Sequence, residues 1–217
     1  MSIPPMAVPY SEDSTSSFYA AAHEVYRISK SLTPEQKAIA NHWADVGGVG
    51  VGVPGPGHLI SIVTGVLQSQ RAKLGTAAVV YAKTGIANKD AFIIMWRGKF
   101  QYNLLRPVTY IQRHVEAGWL PYLVTPPYPE YPSGLAGIYT PVLQVLLREF
   151  GDVPVTDNAY AWNGSAPRHY ASITAVMEEA AVSRVYGGIH YRFTQEATLA
   201  LGRQVGNTIA DIPLLPK

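Results

Sequence analysis

The chain has 217 residues, 47% of them hydrophobic, with 17 Lys and Arg against 15 Asp and Glu and a formal net charge of +2. This size and composition suit one globular domain with a full core, and the near-balanced, scattered charge argues against nucleic acid or an acidic membrane surface as partner. The absence of cysteine excludes disulfides, thiolate metal sites, iron–sulfur clusters and cysteine nucleophiles.

No apolar run reaches the roughly 18 residues of a membrane span, and the opening MSIPPMAVPYSEDS lacks both the basic start and the apolar middle of a secretion signal, so a soluble chain with no signal peptide is expected. After the Pro-rich opening, Phe18, Ala21, Ala22, Val25 and Ile28 recur at helical spacing, which predicts an amphipathic helix over 14–31. Thr33-Pro34-Glu35-Gln36 supplies an N-cap, a Pro at the first helical position and an early acid, so a second helix is expected from Pro34 to Asp45.

Residues 46–57 are crowded with Gly and Pro and read as a loop. Helical patterns follow over 58–70, 74–84 and 88–105, the last stopping at Arg106-Pro107. A short helix over 108–117 leads into WLPYLVTPPYPEYP, an extended Pro-rich segment that positions Ser133-Gly134. Further helices are expected from Ser133 to Phe150, from Ala166 or Tyr170 to Arg184, and from Thr194 to Ile209, with no strand pattern of useful length. The prediction is an all-α helical bundle of about seven helices, without internal repeats.

Three short stretches carry the chemistry. Lys99 and Arg106 are seven residues apart; on one helix that is close to two turns, so the two cations leave the same face about 10 Å apart and can converge on one anion. Ser133-Gly134 stands where a helix should begin, and a helix start offers free N–H groups and a favourable dipole to an anion, with the Ser133 hydroxyl adding a donor and Gly134 permitting close approach. Arg184 and His190 flank Gly187-Gly188, whose turn lets both face one site; imidazole can serve as metal ligand or nucleophile.

Taken together, Lys99-FQYNLL-Arg106-Pro107, Pro132-Ser133-Gly134-Leu135 and Ser183-Arg184-VYGGI-His190 resemble the signature of the vanadium-dependent haloperoxidase and type 2 phosphatidic acid phosphatase superfamily. That signature is Lys, six residues, Arg-Pro; then Pro-Ser-Gly-His; then Ser-Arg, five residues, His. The stretches LTPEQKAIANHWAD, PYPEYPSG and YGGIHYRF are more similar to bacterial haloperoxidases than to lipid phosphatases. The resemblance implies a helical bundle with the anion site at one end. It implies that Lys99, Arg106 and Arg184 neutralise the oxygens of a bound vanadate or phosphate, helped by Ser133 and the Gly134 N–H. His190 would bind vanadium axially in a peroxidase or attack phosphorus in a phosphatase.

The chain departs from the family pattern in three respects. Leu135 replaces the His that acts as acid and base, a loss that typically costs roughly 10²- to 10⁴-fold. Thr194 stands where phosphatases often place an Asp that orients the catalytic His, leaving Asp45, Asp90 and Glu196 as candidate carboxylates for that task or for pairing with an active-site Arg. His58 is the candidate replacement for the lost acid. Finally, family haloperoxidases are larger, so an N-terminal helical half would be missing, and the apolar surface this exposes would favour a homo-oligomer.

Three functions follow. The first is a haloperoxidase homologue that uses vanadate and hydrogen peroxide to oxidise bromide or iodide, weakened or altered by Leu135. The second is a soluble acid phosphatase working through a phosphohistidine at His190. The third is a non-catalytic domain that binds phosphate or vanadate. The resemblance implies a periplasmic or secreted setting.

Overall fold

The structure is a computed structural model that describes residues 3–46 and 52–214. Among these residues, eight α-helices follow one another: α1 (Ser17–Lys30), α2 (Pro34–His42), α3 (Gly55–Ser69), α4 (Leu74–Tyr102), α5 (Pro107–His114), α6 (Gly134–Phe150), α7 (Ile173–Tyr186) and α8 (Arg192–Ala210). This is the all-α architecture expected. One strand pair, β1 (Val155–Asp157) and β2 (Arg168–Tyr170), lies between α6 and α7 with Val155 opposite Tyr170 in antiparallel register. No described helix is long and apolar enough to cross a membrane.

Several boundaries differ from the sequence expectation for physical reasons. The start of α2 is as read: the Thr33 hydroxyl accepts from Gln36 N and the Gln36 side chain accepts from Thr33 N, a complete capping box. Helix α3 begins at Gly55 rather than His58, because a proline in the first turn gives up no helical hydrogen bond. Of the expected loop at 46–57, residues 47–51 lie outside the described residues.

The two helices expected at 74–84 and 88–105 are one, α4, running through Gly85, since an interior glycine costs only about 1 kcal/mol. Helix α4 ends earlier than expected because Asn103 takes the left-handed conformation (φ 48°), with its N–H bonded to Lys99 O at 2.9 Å. Lys99 and Arg106 therefore stand on different elements, Arg106 as N-cap residue of α5. The segment 166–172, which one reading made helical, instead supplies β2, and three-residue strands are too short to show alternation.

The chain packs as two compact units. The first is formed by Met1–Ala44, Ile93–Gly137 and Glu179–Leu201, the second by Asp45–Phe92, Ile138–Glu178 and Gly202–Lys217. In the first, an aromatic-rich core gathers Phe18, Val25, Tyr110, Trp119, Tyr131, Tyr191 and Phe193. Phe18 of α1 sits at its centre, its ring 4.9 Å from Tyr110 of α5 and 5.1 Å from Tyr191.

In the second unit α8 lies close against α6 through glycine. A Cβ on Gly202 would fall 2.7 Å from Thr140 Cβ, and one on Gly206 would fall 2.6 Å from the Pro141 carbonyl oxygen. His58 is buried at the start of α3, Nδ1 2.7 Å from Asp45 Oδ1 and Nε2 2.7 Å from Asp157 Oδ2. Carboxylates only accept, so the ring is the doubly protonated imidazolium. Burial pulls its pKa down, but the hydrogen bonds to Asp157 and Asp45 and their charges outweigh this and hold it at about 9.

A pKa raised on folding gives stability that is complete below the unfolded value of 6.5 and is lost as pH rises through about 9. The shift corresponds to on the order of 3 kcal/mol. The expected result is that the unfolding temperature of the wild-type chain falls between pH 7 and 10, while that of His58→Gln is lower throughout and nearly flat. Parallel curves would refute the clamp.

Candidate functional site

All six residues singled out from the sequence belong to the first unit. Lys99 leaves the last turn of α4 completely buried, and its Nζ donates to three backbone carbonyls, Pro129 at 2.9 Å, Glu130 at 3.1 Å and Pro132 at 2.6 Å. The neighbouring Gly98 permits this, since a Cβ there would meet Pro132 Cδ at 2.6 Å. The ammonium also lies 5.0 Å from the centroid of the Tyr128 ring.

Arg106, fixed at the N-cap of α5, donates from Nε to Tyr128 O at 2.9 Å and from Nη1 to Ile189 O at 2.9 Å. The same Nη1 lies 3.0 Å from His190 Nε2. The remaining nitrogen, Nη2, is buried and has no hydrogen-bond partner. Arg184, near the end of α7, is held by Ser183 Oγ at 3.1 Å and by the Trp43 carbonyl. The helix then breaks as expected at Gly187-Gly188, where Gly188 has φ 74° and the chain turns to present His190.

Ser133 precedes the first turn of α6. Its N–H donates to Thr198 Oγ1 at 3.0 Å, while its hydroxyl oxygen is buried without a partner. The Ser133 hydroxyl is therefore not spent on capping the helix, the ordinary use of a serine at this position. The space beside Gly134 is open: the nearest heavy atom to an added Cβ is Lys99 Cε at 3.9 Å. The first N–H groups of α6 have no intrahelical acceptor.

The carboxylate that sequence reasoning missed is Glu130. It is completely buried and accepts from His190 Nδ1 at 2.8 Å, Tyr191 N at 2.9 Å and Thr194 Oγ1 at 2.8 Å. None of the three carboxylates considered from sequence does this. Asp45 bonds His58 and Tyr139 in the second unit, and Asp90 and Glu196 are exposed. Thr194 contributes by donating to Glu130 rather than by accepting from His190. His58, with both nitrogens engaged by carboxylates, is no replacement for a lost acid.

The electrostatics favour an anion. Burial, then the charges of Arg106, Lys99 and Arg184, push the His190 pKa well below its ordinary value, so the ring is neutral. Burial also lowers Lys99, reinforced by Arg106, and raises Glu130 against its hydrogen bonds and the neighbouring cations. Whether the proton sits on Lys99 or on Glu130, two positive charges remain in excess. The unpartnered Arg106 Nη2 and Ser133 Oγ, together with this excess, fit a tetrahedral oxyanion such as vanadate.

A helical bundle that buries Lys99, Arg106 and Arg184 in one unit with a neutral histidine is the class these features define. A family model described as the VCPO second helical-bundle domain matches residues 79–213, more than half of the chain, and the chain belongs to that family. A crystal structure described as the first bacterial vanadium-dependent iodoperoxidase superimposes with a TM-score of 0.86 and 33% identity, over 96% of this chain and 52% of that one. Holo-type and apo-type structures of bacterial vanadium-dependent chloroperoxidase superimpose with TM-scores of 0.72 and 0.71, covering 95% of this chain and 50% and 51% of theirs. Their identities of 23% and 22% speak for the fold alone. The chain thus spans about half the length of these structures. No curated protein matches it.

Proposed function

We propose that this chain is the site-bearing bundle of a vanadate-dependent haloperoxidase that oxidises iodide or bromide with hydrogen peroxide. The observation that carries the reading is the neutral His190, whose Nε2 accepts from Arg106 Nη1, together with the buried Arg106 Nη2 and Ser133 Oγ of the same unit, which lack partners. The likeness to an iodoperoxidase supports vanadate over a phosphate ester and iodide over chloride.

His190 Nε2 would ligate vanadium, and Arg106, Arg184, Lys99, Ser133 and the Gly134 N–H would hold the oxygens. Bound vanadate supplies Lewis-acid activation of hydrogen peroxide toward a halide. The protein's part is electrostatic: buried cations meet the anion, and Arg106 Nη1, which here donates to the one lone pair of Nε2, would turn that donor to an oxygen of the anion when Nε2 ligates. Proton transfer is the weak point. Leu135, half-buried in the first turn of α6, carries no proton, and Glu130 spends its oxygens on His190, Tyr191 and Thr194.

That last observation favours a second reading, a cradle that binds vanadate or phosphate without turnover. Calorimetric titration with orthovanadate, followed by halide oxidation with hydrogen peroxide, separates the two. Binding with vanadate-dependent oxidation supports the peroxidase. Binding without oxidation supports the non-catalytic cradle, and no binding overturns both.

A further inference from the structure

We infer that Glu130 is the positioning residue that fixes which nitrogen of His190 meets the bound oxyanion. The inference deepens the vanadate reading and rests on it for the identity of the anion, but its structural core concerns this chain alone. Arg106 Nη1 can only donate, so His190 Nε2, 3.0 Å away, must be the unprotonated nitrogen. The single ring proton is then on Nδ1, and it points at Glu130 Oε1, 2.8 Å away. A neutral imidazole in water favours no such arrangement strongly; here one donor and one acceptor, both buried, dictate it from opposite sides of the ring.

Glu130 is itself held so that it cannot turn. Its Oε1 also accepts from Tyr191 N, and its Oε2 accepts from Thr194 Oγ1. Its backbone is fixed as well, Glu130 N donating to Leu104 O at 2.9 Å and Glu130 O accepting from Lys99. The network continues to the other wall of the cradle. Thr198 Oγ1 donates to the Thr194 carbonyl at 2.6 Å and accepts from Ser133 N at 3.0 Å. One carboxylate thereby ties the ring orientation of His190 to the segment that carries Ser133. A carboxylate behind a ligating imidazole fixes tautomer and orientation and makes the far nitrogen a better donor of its lone pair.

The test reads the tautomer directly. Nitrogen-15 NMR of histidine-labelled protein without vanadate, with the His190 signals assigned by their absence in His190→Gln, reports which nitrogen is protonated. The expected result is Nδ1–H in the wild-type chain and in Glu130→Gln, whose amide oxygen can still accept. In Glu130→Leu the Nδ1 proton loses its buried acceptor and only Arg106 still restrains the ring, so a mixture or the opposite tautomer is expected. Orthovanadate affinity, measured on the same samples, should fall roughly 10- to 100-fold in Glu130→Leu and far less in Glu130→Gln.

Should Glu130→Leu fail to fold, Thr194→Val frees Oε2 and should loosen the ring, seen as broadened His190 signals. Nε2–H in the wild-type chain, or an Nδ1–H tautomer and sharp signals unaffected by either substitution, would overturn the inference. A tautomer that shifts as expected in a protein that binds no vanadate would support the positioning role while removing the vanadate reading.

Discussion

Replacing His190 with alanine is expected to abolish both vanadate binding and any halide oxidation. The loss should exceed the roughly 10- to 100-fold that removal of an outer partner of a ligand costs, because the ligand atom itself is gone. Stability should fall too. Alanine would leave Arg106 Nη1 without one of its acceptors and Glu130 Oε1 without one of its donors, in a site where each lost partner costs about 1–3 kcal/mol. The check is calorimetry with orthovanadate beside circular dichroism. A variant that remains folded and binds vanadate as the wild type does would refute the role given to His190.

Substituting Leu135 with histidine should have the opposite effect on turnover. If proton transfer limits the reaction, halide oxidation should rise by about 10²- to 10⁴-fold. Vanadate affinity should change far less, because the unpartnered donors of the cradle are unaltered. Leu135 is half-buried rather than sealed in the core, so a ring of similar size has a route to solvent for its proton. Steady-state oxidation of iodide and bromide at saturating vanadate provides the measurement. An unchanged rate would show that the missing proton carrier is not what limits the chain, and would shift attention to residues beyond the half of the related structures that it spans.

The residues of the candidate site could be picked out from the sequence because they fall in short local patterns. Ser133-Gly134 after a Pro-rich segment and Arg184 and His190 around a double glycine each imply a geometry at close range, and the structure places them in one unit with Lys99 and Arg106. The geometry of the Lys99–Arg106 pair was misread for a local reason. Asn103, in the left-handed conformation, ends α4 and puts the two cations on separate elements, yet both lie 5.0 Å from the centroid of the Tyr128 ring.

Glu130 was hidden for a different reason. Its partner His190 lies 60 residues away, and within PYPEYP it looks like one polar residue in an extended proline-rich run. The available signal was that a ligating histidine gives its other ring N–H to an acceptor, often a carboxylate, and that PYPEYP runs directly into Ser133. The strand pair escaped for want of length, and His58 because the two carboxylates that hold it come from distant parts of the chain, 13 and 99 residues away.

The three carbonyls around Lys99 bear on how such a site would decay. Take away every need to bind an anion, and Lys99 would still be in use, since the carbonyls of Pro129, Glu130 and Pro132 would lose the donor it supplies. The Ser133 hydroxyl and Arg106 Nη2 have no such second occupation; idle, each is only a buried polar group without a partner. In a lineage drifting away from its chemistry, the lysine would therefore be the last of the cradle to disappear and the serine among the first. A chain that keeps both, as this one does, carries a burden that an oxyanion would relieve.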